Sequence, residues 1–438
     1  MKVRKIALAL LCEYEASGKF VNLSLSSHKA DGLAFSERGF LTVLLYTAVE
    51  RKLTYDYLIG SIASRSIDSV DPYTKNILRL GLCQLLHLGS VPDHAAVDLT
   101  VALGRNSGER GFINGVMRTA ARLKNQDALP MPDRARNGAR YLSVRHSFPL
   151  ATVKRFIALF GEDAAEQILC RYNGGGYTDI TVNTLRISRE DMLSSLVSQG
   201  YNAVLSTYSS VGIRILSSVD PTRISGFNEG YFFVQDEACA VSAEALCPEE
   251  GDRILDACAC PGGKSFAAAI LSGNSGRIFS RDIHGSKLSL VKEGATRLGL
   301  SSVIAEEADA TLTPDEDIEA FDKIICDVPC SGLGVLGKKP DIRYRIPEGD
   351  GELPELQLSI LRASCRKLKP GGVLLYSTCT LTEEENSSVV GRFLAEERGY
   401  SLCDFTVGNL KSQGGMLTLL PHIHQTDGFF MARIVKNI

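Results

Sequence analysis

Apolar side chains recur every three or four positions through residues 1–125, for example between Ile77 and Leu86. That spacing lines one face of a helix, and the alternation typical of a half-buried strand is missing from this stretch. Asp71 followed by Pro72 marks a helix start, with Asp71 as the N-cap and Pro72 in the first turn. The pattern predicts an all-α domain over residues 1–125.

The next hundred residues change character. A polar, proline-containing stretch predicts a linker over residues 126–139. Helical spacing from Arg155 to Asn173 is then followed by strand-like segments at 180–186 and 231–236. A small α/β subdomain is therefore expected over residues 140–235.

Strand-type and helix-type segments alternate over residues 236–438. Strands are predicted at 253–256, 276–282, 302–306, 323–327 and 371–376, with helices at 265–271 and 286–298. Such alternation is typical of a doubly wound, mostly parallel sheet. Segments 416–421 and 427–433 predict an antiparallel pair at its edge.

Charge is distributed unevenly along this chain of 438 residues, whose net charge is −3. Residues 1–145 hold 20 Lys and Arg against 13 Asp and Glu, whereas the remainder holds 28 against 38. A basic front on an acidic body suggests that the front grips a polyanion. Basic residues scattered over solvated helix faces would account for the same numbers, so charge alone leaves both interpretations open.

The 12 cysteines indicate neither disulfides nor zinc. Disulfide frameworks belong to small secreted chains, and this chain is long with irregular cysteine spacing. The pairs Cys258/Cys260 and Cys326/Cys330 lack the usual zinc-ligand spacing, and no histidine lies nearby to complete a set. A reducing cytoplasm and no metal site are expected. Most of the other cysteines are expected to act as small hydrophobic residues: Cys12, Cys83, Cys170, Cys239, Cys247, Cys365 and Cys403.

No targeting or membrane segment is expected. The apolar run Ile6–Cys12 resembles the start of a signal peptide, but Glu13 and Glu15 interrupt it at once. No run approaches the roughly 18 apolar residues that a membrane span needs.

A glycine-rich turn, Asp256–Lys264, lies between a predicted strand and a predicted helix. Glycines at such a place let the backbone approach a ligand closely, although a glycine-rich turn alone is weak evidence. The spacing of a phosphate-binding loop is missing. Asp282 and Asp309 follow the next two strands, and a carboxylate after the second strand suits the hydroxyl donors of a nucleotide ribose. Either acid taken singly is more often a helix cap or a surface charge.

Two cysteine motifs follow the turn. Asp327-Val-Pro-Cys330 and Ser377-Thr378-Cys379 both fall where a strand is expected to end. An open α/β sheet places its chemistry at those ends. Two buried structural cysteines are the alternative explanation of this pair.

These motifs together resemble the bacterial RsmB/Sun/Fmu family of 16S ribosomal RNA cytosine-5 methyltransferases. The resemblance in the second half rests on Pro261–Lys264, on the two cysteine motifs and on Glu383–Asn386; in the first half, residues 71–118 are similar to a NusB-type RNA-binding domain. It implies a NusB-like all-α domain over 1–125, a linker over 126–139 and a small α/β RNA-binding subdomain over 140–235. Residues 236–438 would form a Rossmann-like, S-adenosylmethionine-dependent methyltransferase domain with a mixed seven-stranded sheet.

The resemblance also implies roles for individual residues. Cys379 matches the family's attacking cysteine, and Cys330 the second cysteine, which assists proton removal or product release. Asp327 would face the cofactor, bond the N3/N4 edge of the cytosine, or do both. The implied seat for S-adenosylmethionine comprises Cys258, Ala259, Cys260, Pro261, Gly262, Gly263, Lys264, Asp282, Asp309 and Asp327. Within it, Asp282 would hold the ribose and Asp309 the adenine amino group.

The expected chemistry requires a thiolate. A free thiol with a pKa near 8.5 is only about 3% ionised at pH 7, so the site is expected to lower the pKa of Cys379. Lys264 and the sulfonium charge are the candidate causes.

Three positions depart from the family pattern. Cys260 replaces an alanine, and Thr181 stands where the family usually has arginine. The segment Lys339–Tyr344 resembles a basic loop near the target base, with Tyr344 in place of the commoner tryptophan. A solvated loop without that role explains its charge equally well.

The implied substrate is 16S ribosomal RNA, before or during small-subunit assembly, and a cytoplasmic monomer without membrane contact is expected. One alternative is an RNA-binding assembly factor that holds the cofactor without catalysis, and the presence of Cys379 argues against it. Another is the same chemistry on a different RNA, such as transfer RNA. The NusB-like front favours the ribosomal substrate.

Overall fold

The computed structural model describes residues 1–17, 32–174, 176–338, 342–344 and 351–438. The chain divides into two compact units. The helical unit comprises Met1–Asn173 and the short segment that contains Arg343. The second unit comprises Gly174–Lys338 and the chain that follows that segment, to Ile438.

The described part of the helical unit contains helices and no strand, as the sequence predicts for residues 1–125. Its helices are α1 (Lys2–Ser17), α2 (Phe35–Glu50), α3 (Lys52–Ala63), α4 (Pro72–His87), α5 (Asp93–Val101), α6 (Ser107–Asn125), α7 (Gly138–His146), α8 (Leu150–Phe160) and α9 (Glu162–Tyr172). The predicted cap of α4 is present, because the Asp71 side chain accepts a hydrogen bond from the Thr74 backbone N–H at 3.0 Å. Gly161, with a φ of 81°, divides the helix predicted over 155–173 into two.

Helices α7–α9 belong to this unit although they follow the predicted linker. Thr54 Oγ1 on α3 donates to the Val144 carbonyl on α7 at 2.5 Å, and the Leu53 N–H donates to Ser147 Oγ at 3.0 Å. By compactness the unit therefore extends to Asn173, beyond the boundary expected at residue 125.

The α/β subdomain is an antiparallel sheet with the order β2-β3-β1-β4. Its elements are β1 (Thr178–Val182), α10 (Arg189–Ser198), β2 (Ala203–Leu205), β3 (Gly212–Ile215) and β4 (Phe232–Val234). Ile180 and Val182 are buried in the subdomain's own core. Thr181, at the position where the family has arginine, is buried and donates to Gln235 Oε1 at 2.9 Å.

The main sheet has the order β10-β14-β9-β8-β5-β6-β7. Its strands are β5 (Arg253–Asp256), β6 (Arg277–Asp282), β7 (Val303–Glu307), β8 (Phe321–Asp327), β9 (Leu368–Thr378), β10 (Tyr400–Leu402), β13 (Met416–Leu419) and β14 (Phe429–Lys436). Strands β5 to β9 pair in parallel, and β14 pairs antiparallel with β9. The predicted doubly wound sheet with an antiparallel edge is confirmed.

The strand number differs slightly from the prediction of seven. β13 pairs with residues 429–432 of β14 and β10 with residues 434–436, so both lie end to end along the same edge. The sheet therefore has eight strands in seven positions. A separate hairpin joins β11 (Thr406–Val407) and β12 (Leu410–Lys411).

Helices cover the main sheet: α11 (Glu237–Ala245), α12 (Gly263–Leu271), α13 (Leu288–Leu298), α14 (Glu352–Lys367), α15 (Ser387–Glu396) and the short α16 (Pro421–His424). Because β6, β5, β8 and β9 are neighbours in that order, their carboxyl ends bring Asp282, Asp256, Asp327 and Thr378 to one edge. None of the helices described is both long and apolar enough to cross a membrane.

Candidate active site

The glycine-rich turn joins the end of β5 to the start of α12. Gly262 has a φ of 111°, in the region that favours glycine, and α12 begins directly after it. A Cβ at Gly262 would also lie 2.6 Å from Cζ of Phe266, so the position favours glycine. The turn thereby presents the first N–H groups of α12 at the carboxyl edge of the sheet, where an anionic ligand group is favoured.

The rest of the predicted cofactor turn is braced against β6. The Ala259 N–H donates to the Arg281 carbonyl at 2.8 Å, and the Cys260 N–H donates to Asp282 Oδ2 at 3.2 Å. Burial is the main cause that raises the pKa of Cys258, and of Cys260 to about 11. Both thiols are therefore protonated at neutral pH and contribute shape rather than charge.

Asp256 lies fully buried under this turn at the end of β5. Ser265 Oγ donates to its Oδ2 at 2.7 Å, and Ser280 Oγ donates to Ser265 Oγ at 2.7 Å. Burial raises the pKa of Asp256 to about 7, in spite of the opposing effects of Ser265 and Lys264. Its carboxyl group therefore changes charge close to neutral pH.

The two acids predicted for the nucleotide end differ in their surroundings. Asp282 lies against the turn, bonded to the Cys260 N–H and, through Oδ1, to the His284 N–H at 2.9 Å. Asp309 follows β7 and accepts hydrogen bonds at one oxygen from the Thr311 hydroxyl and N–H, at 2.7 and 2.9 Å. Those two bonds lower the pKa of Asp309. The structure therefore brings Asp282 to the turn, and it shows Asp309 closing a turn of its own.

An ion pair joins the turn to the end of β8. Lys264 Nζ lies 2.6 Å from Asp327 Oδ2, and Ser377 Oγ donates to Asp327 Oδ1 at 2.7 Å. The side chains are 11% and 30% exposed, so the pair is largely shielded from water. Burial is the largest single effect and acts to lower the pKa of Lys264, but Asp327, Cys239 and Asp256 together outweigh it and the pKa is raised. Lys264 is therefore a fixed positive charge in the site.

The two motif cysteines meet at the carboxyl ends of β8 and β9. Cys330 Sγ and Cys379 Sγ are 3.3 Å apart, although 49 residues separate them in the chain. Both side chains are half-buried. Two thiols at this distance share a hydrogen bond, so the loss of a proton from one sulfur depends on whether the other sulfur is protonated.

The expectation that the site lowers the pKa of Cys379 is wrong as far as the protein's own side chains are concerned. The hydrogen bond with Cys330 is the largest cause and raises the pKa of Cys379 well above its usual value, with burial adding to it. Lys264 acts in the opposite direction but does not prevail. The Lys264 charge, expected to activate Cys379, is already neutralised by Asp327 at 2.6 Å.

Backbone contacts fix the cysteine loops against each other. The Gly334 N–H donates to the Cys379 carbonyl at 2.9 Å, and the Gly428 N–H donates to the Gly334 carbonyl at 2.8 Å. A Cβ at Gly334 would lie 2.7 Å from the Cys379 oxygen and closer still to the Gly428 oxygen. Asn386 holds the other side, since it accepts from Thr378 Oγ1 at 2.5 Å.

Lys338, at the end of the loop that begins at Cys330, binds a cluster of acidic side chains. Its ammonium group bonds Asp236, the N-cap of α11, and lies 3.2 Å from Asp427. Burial is the main cause that raises the pKa of Asp427 to about 8, with Asp236 adding to it. The loop from Cys330 to Lys338 is thus attached at both ends to elements that surround the site.

The predicted basic loop is only partly described, since Lys339–Asp341 lie outside the described residues. Arg343 is fully buried in the helical unit, where it donates to Asn173 Oδ1 at 2.9 Å and stacks on the Phe148 ring at 4.0 Å. The Tyr344 hydroxyl donates to the Glu50 carbonyl at 2.9 Å. These two residues are therefore anchors within a protein core, and the expectation of a solvated or base-facing basic segment is wrong for them.

Sequence reasoning missed Cys239, which it grouped with the structural cysteines. Cys239 Sγ on α11 is 3.7 Å from Lys264 Nζ. Burial raises the pKa of this thiol to about 12. No local sequence signal marks Cys239, because α11 comes before the first strand of the main sheet and so lies outside the motifs at the strand ends. Among the described residues no group of histidine, cysteine and acidic side chains has the arrangement of a metal site.

Three family models match successive parts of the chain. They are described as the NusB family over residues 1–122, a ferredoxin-like domain of the RsmF/B-like methyltransferases over 148–222, and the 16S rRNA methyltransferase RsmB/F over 243–435.

Similar proteins span the whole chain. The chain is 34% identical to the probable ribosomal RNA small subunit methyltransferase B of Bacillus subtilis over 99% of both chains. It is 32% identical to the protein of the same description from Synechocystis over the full length of both. Among solved structures it is similar to PH0851, with a TM-score of 0.80 and 26% identity over 99% of this chain and 98% of that one. NSun6 from Pyrococcus horikoshii, solved with SFG, gives a TM-score of 0.61 and 25% identity over 66% of this chain and 99% of its own.

Proposed function

Because the chain belongs to the ribosomal RNA small subunit methyltransferase B family, we propose that it is an S-adenosylmethionine-dependent methyltransferase that modifies C5 of a cytosine in 16S ribosomal RNA. The observation that carries the proposal is the Cys330–Cys379 pair, whose sulfurs lie 3.3 Å apart beside the Lys264–Asp327 ion pair. Covalent activation of a pyrimidine ring requires one nucleophile, and a thiol of this pair can supply it while its neighbour assists the later steps.

The residues of the turn fit S-adenosylmethionine. The N-terminus of α12, which begins directly after Gly262, would favour the methionine carboxylate. Asp282, fixed against the turn, would accept from the ribose hydroxyls. The role of Asp309 toward the adenine amino group remains a prediction. When bound, the cofactor supplies an electrophilic methyl group on a sulfonium.

Cys379 performs the first step in this mechanism. C5 of cytosine is a poor nucleophile, and addition of the Cys379 thiolate to C6 places electron density at C5. Cys379 first loses its own proton to water, and Cys330 keeps its proton at this stage. Asp327, held by Lys264 and Ser377, accepts from the cytosine amino group.

Cys330 resolves the adduct. After methyl transfer to C5, Cys330 loses its proton to water and then takes the proton from C5. The electron pair of that C–H bond re-forms the C5–C6 double bond, and the C6–S bond breaks to return Cys379 as a thiolate. Cys379 then regains a proton from water, so one proton is released overall and both cysteines are thiols again.

Two substitutions test these roles. Cys379→Ser should abolish methyl transfer and retain cofactor binding, because the weakly acidic serine supplies no anionic nucleophile. Cys330→Ala should accumulate a covalent protein–RNA adduct, visible as a shifted band on a denaturing gel. Adduct formation by Cys379→Ser and not by Cys330→Ala would reverse the two roles, and appreciable activity of Cys379→Ser would exclude the mechanism.

The substrate is tested separately. Bisulfite sequencing of ribosomal RNA from a deletion strain should reveal one cytosine in 16S ribosomal RNA that loses its modification. A modification lost from transfer RNA instead would contradict the proposal. Action before or during subunit assembly, and a monomeric state, remain predictions.

A further inference from the structure

Glu385 carries a carboxylate that is fully buried at the turn between β9 and α15. It accepts four hydrogen bonds: from the Ser331 N–H at 2.9 Å, Ser331 Oγ at 2.5 Å, Thr382 Oγ1 at 2.9 Å and Gln357 Nε2 at 3.0 Å. A carboxylate has about four lone-pair sites, so its accepting capacity is filled by the protein itself. Bonds to a charged acceptor are the stronger kind, which makes this group a firm anchor.

Hydrogen bonds link the Glu385 carboxylate to the loop that follows Cys330 and to the loop that follows Cys379. Ser331 directly follows Cys330, and Thr380 directly follows Cys379. Ser331 Oγ lies 2.8 Å from Thr380 Oγ1. Because the single Ser331 hydroxyl proton is given to Glu385, Thr380 must donate to Ser331. A directed chain of hydrogen bonds therefore runs from the Cys379 loop, through the Cys330 loop, to Glu385.

The residue on the other side of Cys330 is held by the same cluster. Gln357 Nε2 donates both to Glu385 and to the Pro329 carbonyl, the latter at 2.9 Å. Both chain neighbours of Cys330 are thus tied to one buried pair. Cys330 cannot shift away from Cys379 without breaking bonds at a buried carboxylate, where an unmet partner is costly.

We propose that Glu385 is a positioning residue that fixes the separation of the two cysteine sulfurs. The inference rests on the proposed function for its catalytic consequence, whereas the geometry itself can be tested without RNA. Glu385→Ala removes the anchor from all four donors. Glu385→Gln keeps the shape: its amide oxygen can face the two N–H donors, while the two hydroxyls turn to accept from its amide nitrogen. The glutamine should therefore rescue much of what the alanine loses.

The RNA-free test measures how readily the cysteine pair closes. Oxidised glutathione converts the two thiols to one disulfide, and it is itself reduced to two molecules of glutathione. Peptide mapping after alkylation quantifies the Cys330–Cys379 disulfide. We expect Glu385→Ala to slow its formation at least tenfold, with Glu385→Gln within about threefold of the unaltered protein. Glu383→Ala, at an exposed position two residues away, is the matched control and should change nothing.

The enzymatic test looks for the signature of a misplaced Cys330. Glu385→Ala should accumulate the covalent RNA adduct, as Cys330→Ala does, while its dissociation constant for S-adenosylmethionine stays within twofold. A merely structural residue would lower both activity and adduct together.

The outcomes separate the two proposals. Equal disulfide rates for Glu385→Ala and the unaltered protein would overturn the inference, whatever the activity shows. Absence of an adduct from Cys330→Ala would contradict the proposed mechanism and leave the disulfide test of Glu385 intact. Should Glu385→Ala fail to fold, Ser331→Ala removes only the hydroxyl link between the loops. It must then slow disulfide formation for the inference to stand.

Discussion

The Lys264–Asp327 pair allows a quantitative test of the electrostatics of the site. At 2.6 Å, two unit charges attract by about 6 kcal/mol with an effective dielectric constant near 20. Desolvation of both groups consumes much of that attraction, but removing one partner leaves the other charge shielded and unpaired, which costs about 3–5 kcal/mol. Because Asp327 is 30% exposed, the lower end of that range, about 3 kcal/mol, is expected for Lys264→Met and for Asp327→Asn.

A double-mutant cycle isolates the interaction. The double variant should lose about as much stability as either single variant, so the coupling free energy should be about 2–3 kcal/mol. The chain contains no tryptophan, so urea unfolding is followed by circular dichroism.

The Arg392–Glu355 pair is the matched control. Its charged atoms are 2.7 Å apart, but its side chains are 44% and 64% exposed. Exposed pairs contribute little because water and salt screen them, and no resolvable coupling is expected. A Lys264–Asp327 coupling no larger than that of the control would refute the reasoning that shielding makes this pair strong.

Three further predictions concern other parts of the chain. Asp256 has a folded-state pKa of about 7, above its unfolded value, so the folded state holds the proton more tightly and stability falls as pH rises from about 4 to about 7. Asp256→Asn should remove that fall. Between pH 4 and pH 8, the unfolding free energy of the variant relative to that of the unaltered protein should rise by roughly 4 kcal/mol. The same dependence on pH in both proteins would contradict the assigned pKa. Gly334→Ala should reduce methyl transfer at least a hundredfold because its Cβ meets backbone carbonyls. The control, Gly391→Ala, lies in a helix with open space around it. Its effect on the free energy of unfolding should be neutral or stabilising by up to about 1 kcal/mol. Replacing the exposed Arg118 and Arg122 of α6 by glutamine should reduce the slope of log affinity for RNA against log salt by about 1.4–1.8; an unchanged slope in a filter-binding titration would mean that these charges are ordinary solvated surface.

The order of elements was readable from the sequence because it rests on local patterns. Apolar runs of strand length, separated by helical spacing, predicted β5, β6, β7, β8 and β9 within a few residues. Parallel strands in such a sheet present their carboxyl ends at one edge. That rule, together with the family resemblance, predicted that Asp282, Asp327 and the two cysteines lie at this edge, and the structure places them at or just after the ends of β6, β8 and β9.

The limits of pattern reasoning appear where a contact joins segments that no periodicity links. Cys239 lies beside Lys264 because α11 packs on the sheet, and nothing around Cys239 in the sequence signals it. The resemblance places the segment with Arg343 near the target base and its charge equally favours a solvated loop, yet the Arg343 guanidinium group is buried because Phe148 and Asn173 supply a matching pocket. A residue's charge describes its own chemistry, whereas its burial depends on what the rest of the chain brings to it.

What the sequence determined by itself is the identity and chain order of the chemical groups: a glycine turn, two acids and two cysteines at strand ends. What only the tertiary structure decided is their electrostatic state and their spacing. The pKa of Cys379 is raised because Cys330 lies 3.3 Å away, and the four donors around Glu385 come from α14 and from the two cysteine loops. Both effects fall off within a few ångströms, so they depend on distances that emerge only when separate elements pack together.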